Sequence, residues 1–580
     1  MRTLHRVALH RASLCLGLLP VLLSGCTDTV FRDREDFNPP PDAENKFLGY
    51  FTASDQQTTC GNCHVLHQAD WAETAHSRAY AALAGNSAAT DACFTCHTVS
   101  DKGNAVAGPA GWDVVQDTAY HDVQCESCHG PGLDHVEAPD APGSASNPPL
   151  AHVGVLGPSG AGDSASVAQS CGSCHNQNSG PGVRAYEEWA ASGHARSLEE
   201  EPGVFVADNP SCASCHEGKA SLAAWGVTAN YAERGQTGGE NHLGQTCAVC
   251  HDPHGTARDP NTDALIPGQL RFPISTPDVN QNLCMKCHQR RSEPDQASSR
   301  GPHSPQGPML LGEAGYQPAG FQPDIQAVAS THGTEANPRL CAGCHINRLE
   351  GTDVTTGQPA TSAGHLFLAI PCLDAGGLPD LVNHDCPRDA PSRSWAACTA
   401  SGCHTGGVDV AVAAFTLSAQ TLDQGTKSIW DDRNGNDAID PDSTACSAGA
   451  LRVRVGETVT DTIPCANPSP PGAPAGDDEN RANWDAGLLA RTDIIPTIGD
   501  APTNQYVTND NLITPAEGAR FNVRMLRPGG EDGSSGVHNP FLARALLLAN
   551  VSELQATYAG LPAVSAKIQA LLASQSRRRR

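Results

Sequence analysis

The 580-residue chain carries 63 acidic against 37 basic side chains, a formal net charge of −26. Such a surface excludes nucleic acid and anionic lipid as partners held by charge. Aromatics are only 5% of the residues, beside 57 glycines and 43 prolines, so branched and aromatic side chains are too few to build an ordinary core over this length.

Residues 1–25 read as a lipoprotein signal peptide. Arg2, Arg6 and Arg11 form a basic start, and Ala12 to Leu23 are an apolar run too short to span a bilayer. Leu23-Ser24-Gly25-Cys26 resembles a bacterial lipobox, so Cys26 is expected to bear lipid. The expected location is an exported lipoprotein on the periplasmic or extracellular face of the outer membrane. Residues 26–58, with Pro39-Pro40-Pro41, read as a lipidated tether.

From residue 59 one motif dominates. Its regular form, C-x-x-C-H, occurs at Cys60/Cys63/His64, Cys93/Cys96/His97, Cys125/Cys128/His129 and Cys171/Cys174/His175. It recurs at Cys212/Cys215/His216, Cys247/Cys250/His251, Cys284/Cys287/His288 and Cys341/Cys344/His345. A ninth copy, Cys398/Cys403/His404, is longer by two residues. Two thiols about one helical turn apart can add to the vinyl groups on one porphyrin edge. The histidine that follows then lies under the iron as proximal ligand. A zinc ribbon would need a second cysteine pair and has no use for that histidine, and a redox dithiol would occur once. The expected cofactor is therefore haem c, nine copies in all, eight of them on regular motifs. Residues 59–405 pack around porphyrin, which predicts a mainly α fold with little regular secondary structure.

The motif region repeats internally, with three-haem units near 60–135 and 171–255 and further haems near 284, 341 and 398. In each unit the first motif is followed by a related phrase, Asp70-Trp71-Ala72-Glu73-Thr74-Ala75-His76-Ser77-Arg78 and Glu188-Trp189-Ala190-Ala191-Ser192-Gly193-His194-Ala195-Arg196. Asp70 with Glu73 suggests a capped helix carrying His76. These phrases, with Cys125-Glu126-Ser127-Cys128-His129-Gly130-Pro131-Gly132, resemble the multihaem cytochrome c family that includes the tetrahaem cytochrome of hydroxylamine oxidation and several outer-membrane conduits. The resemblance covers roughly residues 58–405.

Residues 406–535 lack haem motifs and are expected to contain β structure, with a strand at Leu451–Val455. Two disulfides are expected, Cys372/Cys386 and Cys446/Cys465, as suits an oxidising compartment. Asp431-Asp432-Arg433-Asn434-Gly435-Asn436-Asp437, with Asp440, offers alternate oxygen ligands that calcium could use, without the full EF-hand register. Residues 536–580 read as a C-terminal helix and a basic tail, Arg577 to Arg580. In similar multihaem cytochromes a histidine placed like His538 reaches back over a distant haem.

A haem with histidine on both faces passes electrons, whereas an open face permits chemistry on a substrate. The distal ligands expected are His76, His194 and His538, then His121, His135, His242, His254, His303 and His332. His67, His152, His365 and His384 remain in surplus. The expected function is electron relay at or across the outer membrane, by a carrier rather than a catalyst, so no catalytic residue is assigned. Two alternatives stand beside it: an oxidoreductase acting on a nitrogen or sulfur oxyanion at one open haem, and a cytochrome filament subunit. Partners would be periplasmic or outer-membrane redox proteins and, through Cys26, the membrane; an oligomer is compatible with the sequence.

Overall fold

The computed structural model describes residues 39–137, 171–178, 182–201, 204–206, 209–227, 244–321, 331–432, 450–464, 485–490 and 512–578, apart from a few single positions. Residues 1–25, Cys26, His152, His242, Cys446, Cys465 and most of the calcium-like loop lie outside them. The described chain is mainly helical, with short helices, long irregular connections and few strands. Four antiparallel hairpins provide the sheet: β1 (Tyr50–Thr52) with β2 (Gln57–Thr58), β3 (Glu199–Glu201) with β4 (Val204–Phe205), β5 (Glu350–Thr352) with β6 (Pro359–Thr361), and β7 (Ala450–Val455) with β8 (Thr458–Pro464).

The motifs are themselves helical turns. The backbone N–H of the histidine closes onto the first cysteine carbonyl at His64 (2.9 Å), His175 (2.8 Å), His251 (2.8 Å) and His288 (3.1 Å). One turn places both thiols and the imidazole on one side of the chain. In the ninth motif His404 N–H reaches Cys398 O at 3.0 Å, so its two additional residues loop out and leave the closing bond intact.

The two three-motif units share their hydrogen bonds. Helix α1 (Val65–Ala72) carries Trp71, whose indole donates to Val123 O at 2.9 Å; helix α2 (Ala185–Ala191) carries Trp189, whose indole donates to Gln245 O at 2.8 Å. Val123 and Gln245 each stand two residues before a third motif, and their amides donate at 3.2 Å to the His76 and His194 carbonyls. Asp70 lies inside α1, and His76 opens a separate 3-10 turn, His76–Arg78. The expected Asp70 cap is thus replaced by a Trp71 anchor. Residues 42–58, read from sequence as tether, fold onto the first unit, where Phe47, Leu48 and Tyr50 are buried.

The largest apolar core lies elsewhere. Helices α3 (Val408–Ile429), α4 (Pro515–Leu526), α5 (Pro540–Thr557) and α6 (Ala566–Arg578) pack around Leu422, Val523, Met525, Leu542, Leu546 and Val551. Helix α4 begins with a Thr514/Glu517 capping box and Pro515, and α5 with Asn539 accepting from Leu542 N–H ahead of Pro540. The region expected to be β-containing does hold β7 and β8, but helices open and close it. The C-terminal segment has two helices rather than one.

Candidate functional site

The nine motif sites are numbered here by their histidines in chain order, from His64 (site 1) to His404 (site 9). A cavity of roughly 4460 Å³ runs through the motif region, lined by residues of every motif except the first. That is several times the roughly 300–1,000 Å³ of a pocket for one small ligand.

Eight motif histidines face a second histidine, six of these pairs lining the cavity. The pairs are His64/His135 (6.4 Å between ring centres), His129/His254 (6.1 Å), His175/His76 (6.2 Å), His216/His303 (6.2 Å), His251/His365 (6.1 Å), His288/His194 (6.2 Å), His345/His538 (6.3 Å) and His404/His332 (6.3 Å). Two metal–imidazole bonds of about 2.0–2.1 Å, plus the ring radii, put coaxial imidazoles roughly 6.3 Å apart. The observed spacing therefore fits one iron between each pair. His67 also lies 6.3 Å from His64. It stands three residues along on the adjoining helix, with its ring 4.8 Å from that of His254, whereas His135 comes from a remote segment and lies more nearly parallel to His64.

For four of the facing rings protonation agrees with ligation. Burial holds His194 down to about 3 and His76, His254 and His365 down to about 4, so these rings are neutral and keep a lone pair for metal. The second nitrogen is often fixed. Nδ1 meets the carbonyl of Ala79 from His97 (2.8 Å), Ser197 from His216 (2.8 Å), Gly268 from His251 (2.6 Å), Phe367 from His345 (2.8 Å) and Val537 from His332 (2.7 Å). A carbonyl only accepts, so Nδ1 carries the proton and Nε2 is left to bind.

The expected distal histidines divide unevenly. His76, His135, His194, His254, His303, His332 and His538 each face a motif histidine. His121 does not: its ring stacks on Tyr80 at 3.5 Å, within an aromatic group that includes Trp112. His242 lies outside the described residues. His365, unassigned from sequence, faces His251, and its backbone N–H donates to the Glu188 carboxylate at 2.8 Å. Among the described residues no histidine ring faces His97 of site 2.

Thiols of different motifs also meet. Cys60 contacts Cys125, Cys171 contacts Cys247, and Cys284 contacts Cys341, joining sites 1–3, 4–6 and 7–8. Cys96 contacts Cys174 and Cys215 contacts Cys287, joining 2–4 and 5–7. Cys128 lies near Cys171, Cys250 near Cys284, and Cys344 near Cys398 and Cys403, joining 3–4, 6–7 and 8–9. The string 1–3–4–6–7–8–9 is continuous, with sites 2 and 5 as side branches. The Cys372–Cys386 disulfide is formed beside it; the Cys446/Cys465 pair lies outside the described residues.

Glu126, inside the third motif, is buried and accepts from the amides of Leu48 (2.9 Å), Gly49 (2.7 Å) and Gly132 (2.7 Å). Glu126→Ala would strand three buried donors and should cost roughly 3 kcal/mol in thermal or denaturant unfolding. Burial, working against those donors, lifts its carboxyl from 4.5 to about 7. The folded state therefore holds a proton that the unfolded chain releases, so this residue's contribution to stability falls as pH rises between 4.5 and about 7. Glu126→Gln should remove that slope.

Residues 59–130 match the family described as Cytochrome c554 and c-prime. For this stretch the match supports a c-type cytochrome with covalently bound haem. No curated protein and no solved structure matches the chain.

Proposed function

We propose that this protein is a multihaem electron relay, binding haem c at all nine motifs and passing electrons between redox partners at the outer membrane. Bound haem iron would supply reversible one-electron chemistry; the chain supplies the rest. The observation that carries the reading is the set of eight facing histidine pairs, since an imidazole on each face leaves no position for substrate. The thiol contacts support it by linking the motifs into one string, with neighbours close enough for hopping.

Cys63 and Cys403 are the two exposed motif cysteines, the other sixteen being partly covered. They belong to sites 1 and 9, the two ends of the string, where partners would exchange electrons. The lipid on Cys26 would attach the protein beside site 1. Among the described residues no helix is long and apolar enough to cross a membrane, so the proposed attachment is through lipid. A potential-controlled titration of the purified holoprotein, followed optically and by EPR, tests this reading. About nine one-electron steps, nearly all low-spin, are expected. High-spin signals from most of the haems would overturn it.

His97 gives the oxidoreductase reading its one specific support. With no facing ring among the described residues, site 2 is where a small nitrogen or sulfur oxyanion would reach iron. Its position on a side branch would let such a reaction draw from the string without interrupting it.

A further inference from the structure

We propose that Asp532 makes site 8 the low-potential step of the relay, through a charge-assisted hydrogen bond to its distal ligand. The inference rests on the haem-relay reading above and concerns residues the motifs do not include.

The short segment Glu531–His538, between α4 and α5, touches several axial histidines. His538 is the ring opposite His345. The Val537 carbonyl accepts from Nδ1 of His332, the distal ring of site 9. Gln306 bridges the segment to site 7, donating to the Glu531 carbonyl at 2.8 Å while its amide oxygen stands 3.3 Å from Nδ1 of His288. Sequence-remote from the nine motifs, the segment thus holds three successive sites of the string.

Within it, one contact differs in kind. Where another axial histidine has an Nδ1 partner described within 3.5 Å, it is a neutral oxygen: a backbone carbonyl for five rings and the Gln306 amide for His288. Nδ1 of His538 instead meets Asp532 Oδ1 at 2.7 Å. The carboxylate is 2% exposed, so water screens it little. Glu531 approaches His303 at 3.6 Å, beyond hydrogen-bond length, and is 25% exposed. Asp532 is fixed in turn by Ser534 Oγ, which donates to its other oxygen, and by its own amide bonded to Met525 O.

A buried carboxylate accepting the Nδ1 proton raises the electron density at Nε2. A more basic ligand stabilises ferric over ferrous iron, so the site is harder to reduce. Site 8 stands between sites 7 and 9, where a lower potential sets the direction and pace of transfer to the end of the string.

Asp532→Asn keeps the shape and removes the charge. In a potentiometric titration of the holoprotein, it should favour reduction at one low-spin site by at least tenfold, about 59 mV for a one-electron couple. Ser534→Ala should act in the opposite direction, because losing the hydroxyl leaves Asp532 a stronger acceptor; Glu531→Gln should leave the site 8 midpoint unchanged. EPR reports whether His538 stays bound in each variant, since its release would create a new high-spin signal. Nine haems titrating with unaltered midpoints in both the Asp532 and Ser534 variants would overturn the assignment while leaving the relay intact. Absence of covalent haem in the parent protein would instead remove the relay reading. If Asp532→Asn releases His538, the direction of the Ser534→Ala shift decides alone: a lower midpoint upholds the assignment, and none overturns it.

Discussion

A chain made without haem attachment should keep its C-terminal helices and lose the rest of its fold. The motif region has little else to hold it together. Its described apolar clusters are small, one of Phe47, Val99, Ala110, Trp112 and Tyr120, another of Met285, Leu310 and Leu340. Around them runs the cavity of roughly 4460 Å³, which fits covalent porphyrin and is too wide for these side chains to close. Helices α3 to α6, by contrast, supply 15 of the 21 residues buried in one cluster. Expressed in a host without haem ligation, or with the motif cysteines replaced by alanine, the full chain should lose most of its near-UV signal. Limited proteolysis should cut throughout residues 58–405 and spare 408–429 and 515–557. Protease resistance equal to that of the holoprotein across 58–405 would show that side chains alone sustain this region. The effect amounts to loss of that region's folding free energy, because without porphyrin the space it would fill stays open and no iron ties the paired histidines together.

The second large effect concerns spin state. With haem at all nine motifs as proposed, the eight paired sites should be low-spin, and site 2, where no histidine ring faces His97 among the described residues, should give one high-spin ferric signal, about a ninth of the total iron. Carbon monoxide should bind the reduced protein at that one site. His194→Ala would open site 7 and double the high-spin population and the carbon monoxide bound. An entirely low-spin parent would mean that a side chain beyond the described residues, such as His152 or His242, closes site 2. A parent spectrum dominated by high-spin iron would contradict the pairing geometry itself.

What could be read from sequence follows the range of each interaction. A motif is one turn of helix, so its thiols and proximal histidine are legible from spacing, and the stretched ninth copy keeps the same closing bond, His404 N–H to Cys398 O. The mainly helical, loop-rich character follows from composition. Distal ligands are set by folding at long range, and local cues serve them less well. His121 is expected among the distal ligands, yet its ring stacks on Tyr80. His365 has no local mark, and the carboxylate that positions its backbone, Glu188, comes from α2. His254, just past the sixth motif, faces His129 of site 3, one unit earlier; the same relation one unit on asks for a histidine past the ninth motif, whereas His365, which faces His251 of site 6, precedes that motif. Asp532 carries no sequence signature, since its role depends on where α4 ends.

The same hand-over limits how the molecule can be cut. His76, in the first unit, caps site 4 of the second, and His194, in the second, caps site 7 beyond it. His254 reaches back from the second unit to site 3. With iron between each pair as proposed, any break between the units would orphan an iron on both sides of the scissors. A fragment ending near residue 137 would strand His129 with a bare face and leave His76 with nothing to clasp. The units are interlocked links rather than beads, and shortened versions should be designed with that in mind.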